Sequence, residues 1–183
     1  MNYCEHGVHE KSCSMHNQSK KRLLLTGIGG SIGCHFLAHI MHNTDWDVVG
    51  IDSFRHKGWT DRVDAIMNTS EPEHPSGHID WRDRVKVFTH DLNAPFSPLL
   101  KEKIGHIDYI ISMASLSDVE ASIKDPVPFV QNNVNLTLNM LEYAREIWNL
   151  GLHNQKPPEG TAFIQISTDE VYGPIEEKNS PRS

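Results

Sequence analysis

Thr26-Gly27-Ile28-Gly29-Gly30-Ser31-Ile32-Gly33 closes an apolar run at residues 21–26 and opens a stretch where Ile32, Phe36, Leu37, Ile40 and Met41 recur at helical spacing. A strand that stops at glycines and feeds a helix is the first half of a βαβ unit. Gly27 lets the chain turn tightly, Gly30 removes a side chain where a pyrophosphate must approach the backbone, and Gly33 allows close helix–strand packing. The free N–H groups of the first helical turn and the positive end of the helix dipole would hold the phosphates. A second apolar run, Val48-Val49-Gly50-Ile51, ends at Asp52, 19 residues beyond Gly33. A carboxylate there accepts hydrogen bonds from adenosine ribose hydroxyls and repels a 2′-phosphate, which favours NAD over NADP. Arg55, three residues on, would soften that discrimination.

Further strands are expected at residues 85–88, ending near Asp91, at 107–111 and at 162–166. Asp91 closes the third in a position able to hydrogen-bond adenine. The clearest helix starts with Asp125 as N-cap and Pro126 in the first turn. Val130, Val134, Thr137, Leu141, Ala144 and Trp148 then follow the helical period toward Gly151, a natural stop. With Phe129 they predict core or subunit contact. Residues 68–80, rich in Pro, Ser, Glu and His, and 153–160 read as surface loops. Apolar strands alternating with helices imply parallel pairing with right-handed crossovers. The fold class is therefore an α/β, doubly wound parallel sheet of Rossmann type over residues 21–183, preceded by a polar tail at 1–20.

The chain has 183 residues, a net charge of −7 and 38% hydrophobic residues, enough for one domain with a core. The acidic balance argues against binding duplex nucleic acid. No run approaches the ~20 apolar residues of a membrane span. The opening residues lack an apolar signal core, so a cytoplasmic location is expected. Cys4, Cys13 and Cys34 cannot all pair. Cys4, His6, His9, Cys13 and His16 cluster in the tail, and His35, His39 and His42 share a side of the first helix. The tail could offer a zinc ion its ligands but matches no standard finger, and His39 could pair with either neighbour although a solvated helix face is the preferred reading, so no metal site is assigned.

The T-G-x-x-G-x-x-G spacing resembles the extended short-chain dehydrogenase/reductases. Ser167-Thr168-Asp169-Glu170-Val171-Tyr172-Gly173, after the fifth strand, resembles the signature of the dTDP-glucose 4,6-dehydratase family, on which residues 21–173 can be laid. Residues 112–120 align with that family's strand-four motif and residues 133–137 with its N-V-x-G-T helix motif. Ser31, Leu116, Asp118 and Leu136 depart from the pattern, replacing an aromatic residue, a glutamate, a histidine and a glycine.

The resemblance implies a lyase. The sugar is oxidised at C4 by hydride transfer to NAD, the C5 proton is removed, the C6 hydroxyl leaves as water, and the hydride returns to C6. Two adjacent carboxyl groups with opposed tasks are required. The family assigns Asp169 as acid, Glu170 as base and Thr168, with Ser117, to the nucleotide-sugar substrate. Cofactor contacts carry over to Ser31 and Ile32 at the phosphates, to Asp52, Ser53, Phe54 and Arg55 at the ribose, and to Asp91 with Leu92 at adenine. Met113, Ala114, Ser115, Leu116 and Ser117 would pass beneath the nicotinamide side, with Asn132 nearby.

The superfamily also uses a Tyr-x-x-x-Lys pair, which does not occur in these 183 residues. The expectation is an N-terminal portion, ending before the later strands and the C-terminal substrate region and inactive alone. Relatives dimerise partly through the long helix, so a homodimer is expected of a full-length chain. Another nucleotide-sugar epimerase or decarboxylase, or a non-catalytic NAD-binding module, stays open as an alternative. The sequence does not separate dTDP, UDP, GDP and CDP sugars.

Overall fold

The computed structural model describes residues 20–55, 58–68, 81–151 and 156–173. Five strands, β1 (Arg22–Thr26), β2 (Asp47–Asp52), β3 (Val85–Thr89), β4 (Tyr109–Ser112) and β5 (Ala162–Gln165), form one sheet in the order β3-β2-β1-β4-β5. Every pairing is parallel, with Leu24 of β1 between Val49 of β2 and Ile110 of β4. The chain winds outward from β1 first through β2 and β3, then the other way through β4 and β5. The carboxyl ends of β1 and β4 therefore flank the switch point, where open α/β sheets bind ligands.

The helices are α1 (Ser31–Asn43), α2 (Thr60–Met67), α3 (Pro98–Ile104), α4 (Val119–Lys124) and α5 (Pro126–Ile147). β1 explains why they cover both faces. Leu23 and Leu25 point into a core with Leu37, Ile40 and Met41 of α1, whereas Leu24 points into a second core with Leu136, Met140 and Tyr143 of α5. A strand buried on both sides must read as an unbroken apolar run, which residues 23–25 do.

Three expectations need correction. Of the expected stripe on α5, Ala144 and Trp148 are buried, but Val130, Val134 and Leu141 are exposed, and the face against the sheet is completed by Leu136, Met140 and Tyr143. The helix is apolar on two sides and the sheet takes only one. Its end lies at Ile147, because Asn149 adopts the left-handed conformation (φ 51°) that Gly151 was expected to supply. Strand β4 begins at Tyr109 rather than residue 107. Asp108 instead directs its carboxylate to the start of β1, accepting from the Arg22 N–H at 2.8 Å and Lys21 Nζ at 3.1 Å. Asp125 does hold the N-cap position of α5, but its side chain makes no capping hydrogen bond. The polar loop at 69–80 and the Cys/His residues of the tail lie outside the described residues.

Candidate functional site

The turn between β1 and α1 has the geometry its glycines predict. Gly27 sits at φ 71°, and a Cβ on Gly33 would stand 2.0 Å from the Gly27 carbonyl oxygen, so a side chain at 33 would push α1 off the turn. Gly30 is the N-cap of α1 and supplies no side-chain cap, leaving the first helical turn for an incoming acceptor. Ser31 and Ile32 are exposed at that mouth, Ile32 to 72%.

Asp52 faces the turn from the end of β2. Its Oδ2 accepts the Gly29 N–H at 2.9 Å and its Oδ1 accepts the Phe54 N–H at 2.9 Å. The second bond requires the chain to fold back, which Phe54 does at φ 52°. Each carboxylate oxygen retains a lone pair for a ribose hydroxyl. Gly29, which sequence reading passed over, is thus the anchor of the acid; its carbonyl in turn accepts from the Trp59 N–H at 2.9 Å.

Asp91, beyond β3, is pinned from two sides. Oδ1 accepts from the Asn93 backbone N–H and from Asn93 Nδ2, each at 3.1 Å, and Oδ2 receives Arg55. Partial burial works against its charge, but the Asn93 hydrogen bonds, the Arg55 hydrogen bond and the Arg55 charge outweigh it and hold the carboxyl below the usual carboxylate range. Leu92 buries its side chain in the core, so its share of a binding groove is main chain.

The loop after β4 is held at both ends. The Thr26 hydroxyl accepts from the N–H groups of Met113 (3.0 Å) and Ala114 (3.1 Å). Asn133 of α5 grips Leu116, and Asn132 donates to Asn133 Oδ1 at 3.0 Å. Asn132 also accepts from Asn93 Nδ2 at 2.7 Å, which links the loop to the Asp91 turn. Thr26, Asn93 and Asn133 are further site residues that sequence reading did not assign. Ser115 and Ser117 are exposed, and Asp118, the departure from the family histidine, caps α4 by accepting from the Ala121 N–H at 3.1 Å.

Thr168, Asp169 and Glu170 follow β5, with Thr168 as N-cap of a short 3-10 turn, Asp169–Val171. All three are exposed, as are Val171 (71%) and Tyr172 (91%). Because the sheet is parallel, this turn lies on the same edge as the glycine turn, with β4 between their strands. The described residues contain no group of three or more His, Cys, Asp or Glu fit to hold a metal, and no helix long and apolar enough to cross a membrane.

Comparison with known proteins agrees with this arrangement. Residues 24–181 match the family model described as GDP-mannose 4,6 dehydratase. The chain belongs to this dehydratase family. Among curated relatives, the low-salt glycan biosynthesis protein Agl12 of Haloferax volcanii is 31% identical over 153 residues, 84% of this chain and 41% of the relative. The dTDP-glucose 4,6-dehydratase of Shigella flexneri is 31% identical over 155 residues, 84% of this chain and 38% of the relative. The dTDP-glucose 4,6-dehydratase DesIV of Streptomyces venezuelae, solved with NAD bound, matches at a TM-score of 0.63 and 25% identity over 85% of this chain and 42% of its own. This member of the dehydratase family thus spans about two-fifths of the length of the curated relatives it matches, corresponding to their N-terminal portion.

Proposed function

We propose that the chain binds NAD and forms the N-terminal part of a cytoplasmic nucleotide-sugar 4,6-dehydratase, a lyase most similar to those acting on dTDP-glucose. The observation that carries this reading is one sheet edge bearing both a glycine turn with an anchored ribose acid, Asp52, and the Thr168-Asp169-Glu170 turn after β5. A sensor of NAD needs the first and has no use for the second.

The residues fit the cofactor. The uncapped mouth of α1 at Ser31 and Ile32 would receive the pyrophosphate, residues 52–55 the adenosine ribose, Asp91 and the Leu92 main chain the adenine, and residues 113–117 with Asn132 the nicotinamide side. Bound NAD would supply the hydride acceptor and donor. Glu170 takes the proton from C5 of the oxidised sugar. Asp169 gives its proton to the departing C6 hydroxyl, which leaves as water. Thr168 and Ser117 donate hydrogen bonds to the sugar. The Tyr-x-x-x-Lys pair that manages the C4 hydroxyl lies outside these 183 residues, so the cycle requires a chain or partner that supplies it. The exposed stripe of α5 and the apolar residues beside β5 are the surfaces such a remainder and a second protomer would cover, giving a homodimer.

Calorimetric titration with NAD tests the first half of the reading: binding is expected, and Asp52→Ala should weaken it at least about tenfold. Unchanged affinity in that variant would remove the cofactor assignment. The second half is tested in the enzyme that includes the tyrosine–lysine region. There Glu170→Gln should abolish elimination while NAD titrates as before; retained turnover would overturn its role as base.

A further inference from the structure

The arginine that could admit a 2′-phosphate is present beside Asp52 but is engaged elsewhere. Sites that accept NADP use an arginine near the end of the second strand. Arg55 lies three residues past Asp52, on the segment assigned to the ribose, yet its guanidinium pairs with Asp91 across the carboxyl ends of β2 and β3. Asp91 is not free to drift, since Asn93 holds Oδ1 through two hydrogen bonds and is itself tied to Asn132 of α5. Arg62 is the other described arginine at this turn, with Nη1 donating to the Gly29 carbonyl at 3.3 Å.

We infer that Asp91 is a specificity-determining residue for the cofactor's ribose as well as a candidate adenine contact, because it sequesters Arg55 and so leaves Asp52 to reject a 2′-phosphate unopposed. The inference rests on the NAD-binding reading above and deepens it. The pair is part-exposed, 58% for the Arg55 side chain and 38% for that of Asp91, so its contribution to folding is small. Its consequence is in ligand choice. Removing the Asp91 charge frees a rigid, permanently charged fork on the segment that a 2′-phosphate would approach.

The test is a calorimetric titration of the protein with NAD and, separately, NADP, in four forms: wild type, Asp91→Asn, Arg55→Gln and the double variant. The ratio of the two dissociation constants is the readout, because a lost adenine contact weakens both ligands alike and cancels. The amide oxygen introduced by Asp91→Asn can still accept from Asn93, which preserves the turn. The wild type should prefer NAD. Asp91→Asn should narrow the preference about tenfold, the scale of one charge contact in partly solvated surroundings. Adding Arg55→Gln should restore it to the ratio of the Arg55→Gln single variant, which is the reference for the double. A ratio unaltered by Asp91→Asn, or a narrowing that survives in the double variant, overturns the inference while leaving NAD binding intact. A wild type that binds neither dinucleotide overturns the underlying reading together with it.

Discussion

Asn133 holds Leu116 by both of its backbone polar groups: Nδ2 donates to the Leu116 carbonyl at 2.9 Å, and Oδ1 accepts the Leu116 N–H at 2.9 Å. A side-chain amide thus imitates one rung of a sheet ladder where the loop after β4 pairs with no strand among the described residues. With Thr26 gripping residues 113 and 114, the loop assigned to the nicotinamide side is shaped before any ligand arrives.

Replacing Asn133 by alanine should therefore cost both stability and affinity. Two part-buried backbone groups would lose their partners, at about 1–3 kcal/mol for a group left unsatisfied. Thermal unfolding should shift down, and NAD should bind several-fold more weakly. Asn133→Asp keeps the acceptor for the N–H but loses the donor to the carbonyl, so it should fall between. Equal NAD affinity in all three proteins would mean that the loop needs no such clamp.

Gly33→Ala should be the most damaging single-methyl change in the glycine turn. The added Cβ would lie 2.0 Å from the Gly27 oxygen and 2.8 Å from its carbonyl carbon, both backbone atoms that cannot rotate aside. Overpacking of this kind costs about 1–3 kcal/mol. A lowered urea midpoint with an unchanged slope is the expected result, together with weaker NAD binding as α1 shifts from the turn.

The sheet and the glycine turn were legible because their constraints are local. A strand covered on both faces has to be apolar throughout, and a turn in which a Cβ at position 33 would stand 2.0 Å from the Gly27 oxygen has to use glycine there. The short helices α2, α3 and α4, with 8, 7 and 6 residues, are too brief to display a period against the background of surface positions. The buried face of α5 was legible only in part, at Ala144 and Trp148, for the opposite reason. Two apolar stripes run along it, and which one meets the sheet is set by tertiary packing. The Asn93, Asn132 and Asn133 connection was invisible as well, since 39 positions separate the first two and nothing in their identity announces that they meet. Asp52 does end β2, as its place after the apolar run implies, but its anchor, Gly29, was given no role in the sequence reading.

Tyr143 offers a test in which removing an atom should do no harm. Its ring is buried, packed edge-on to Phe96 at 4.6 Å, and its hydroxyl has no hydrogen-bond partner among the described residues. Burial, reinforced by the Glu146 charge and opposed by Arg22, pushes the phenol up to about 12. A group whose folded value is raised adds stability that is complete below its unfolded value, about 10, and is lost as the pH climbs through the folded one. Tyr143→Phe should leave neutral-pH stability unchanged or raise it by up to about 1 kcal/mol. Its chemical-denaturation midpoint should also fall less steeply than the wild type's above pH 10. A loss of more than about 1 kcal/mol at neutral pH would show that the hydroxyl does have a partner, such as a buried water.

The exposed stripe of α5 supplies the last test. Val127, Val130, Val134, Leu138 and Leu141 are 57%, 60%, 59%, 54% and 47% exposed, at steps of three and four residues along one side of a helix whose other side is already packed on the sheet. Such a seam is far more apolar than a solvated helix face requires, and a matching helix from a second protomer would bury it. Val134→Glu places a charge at its centre. Since Val134 is open to solvent in the single chain, folding should change by no more than about 0.5 kcal/mol, whereas association requires that charge to be desolvated against apolar neighbours. Sedimentation velocity over a concentration series should show the wild type self-associating and the variant remaining monomeric at concentrations at least about tenfold higher. If both sediment identically as monomers, the α5 stripe alone does not mediate self-association in this chain, and the homodimer proposed for a full-length chain needs surfaces other than this one. Identical dimers would instead place the contact on another face, with the residues beside β5, Ile164 and Ile166, as the next surface to substitute.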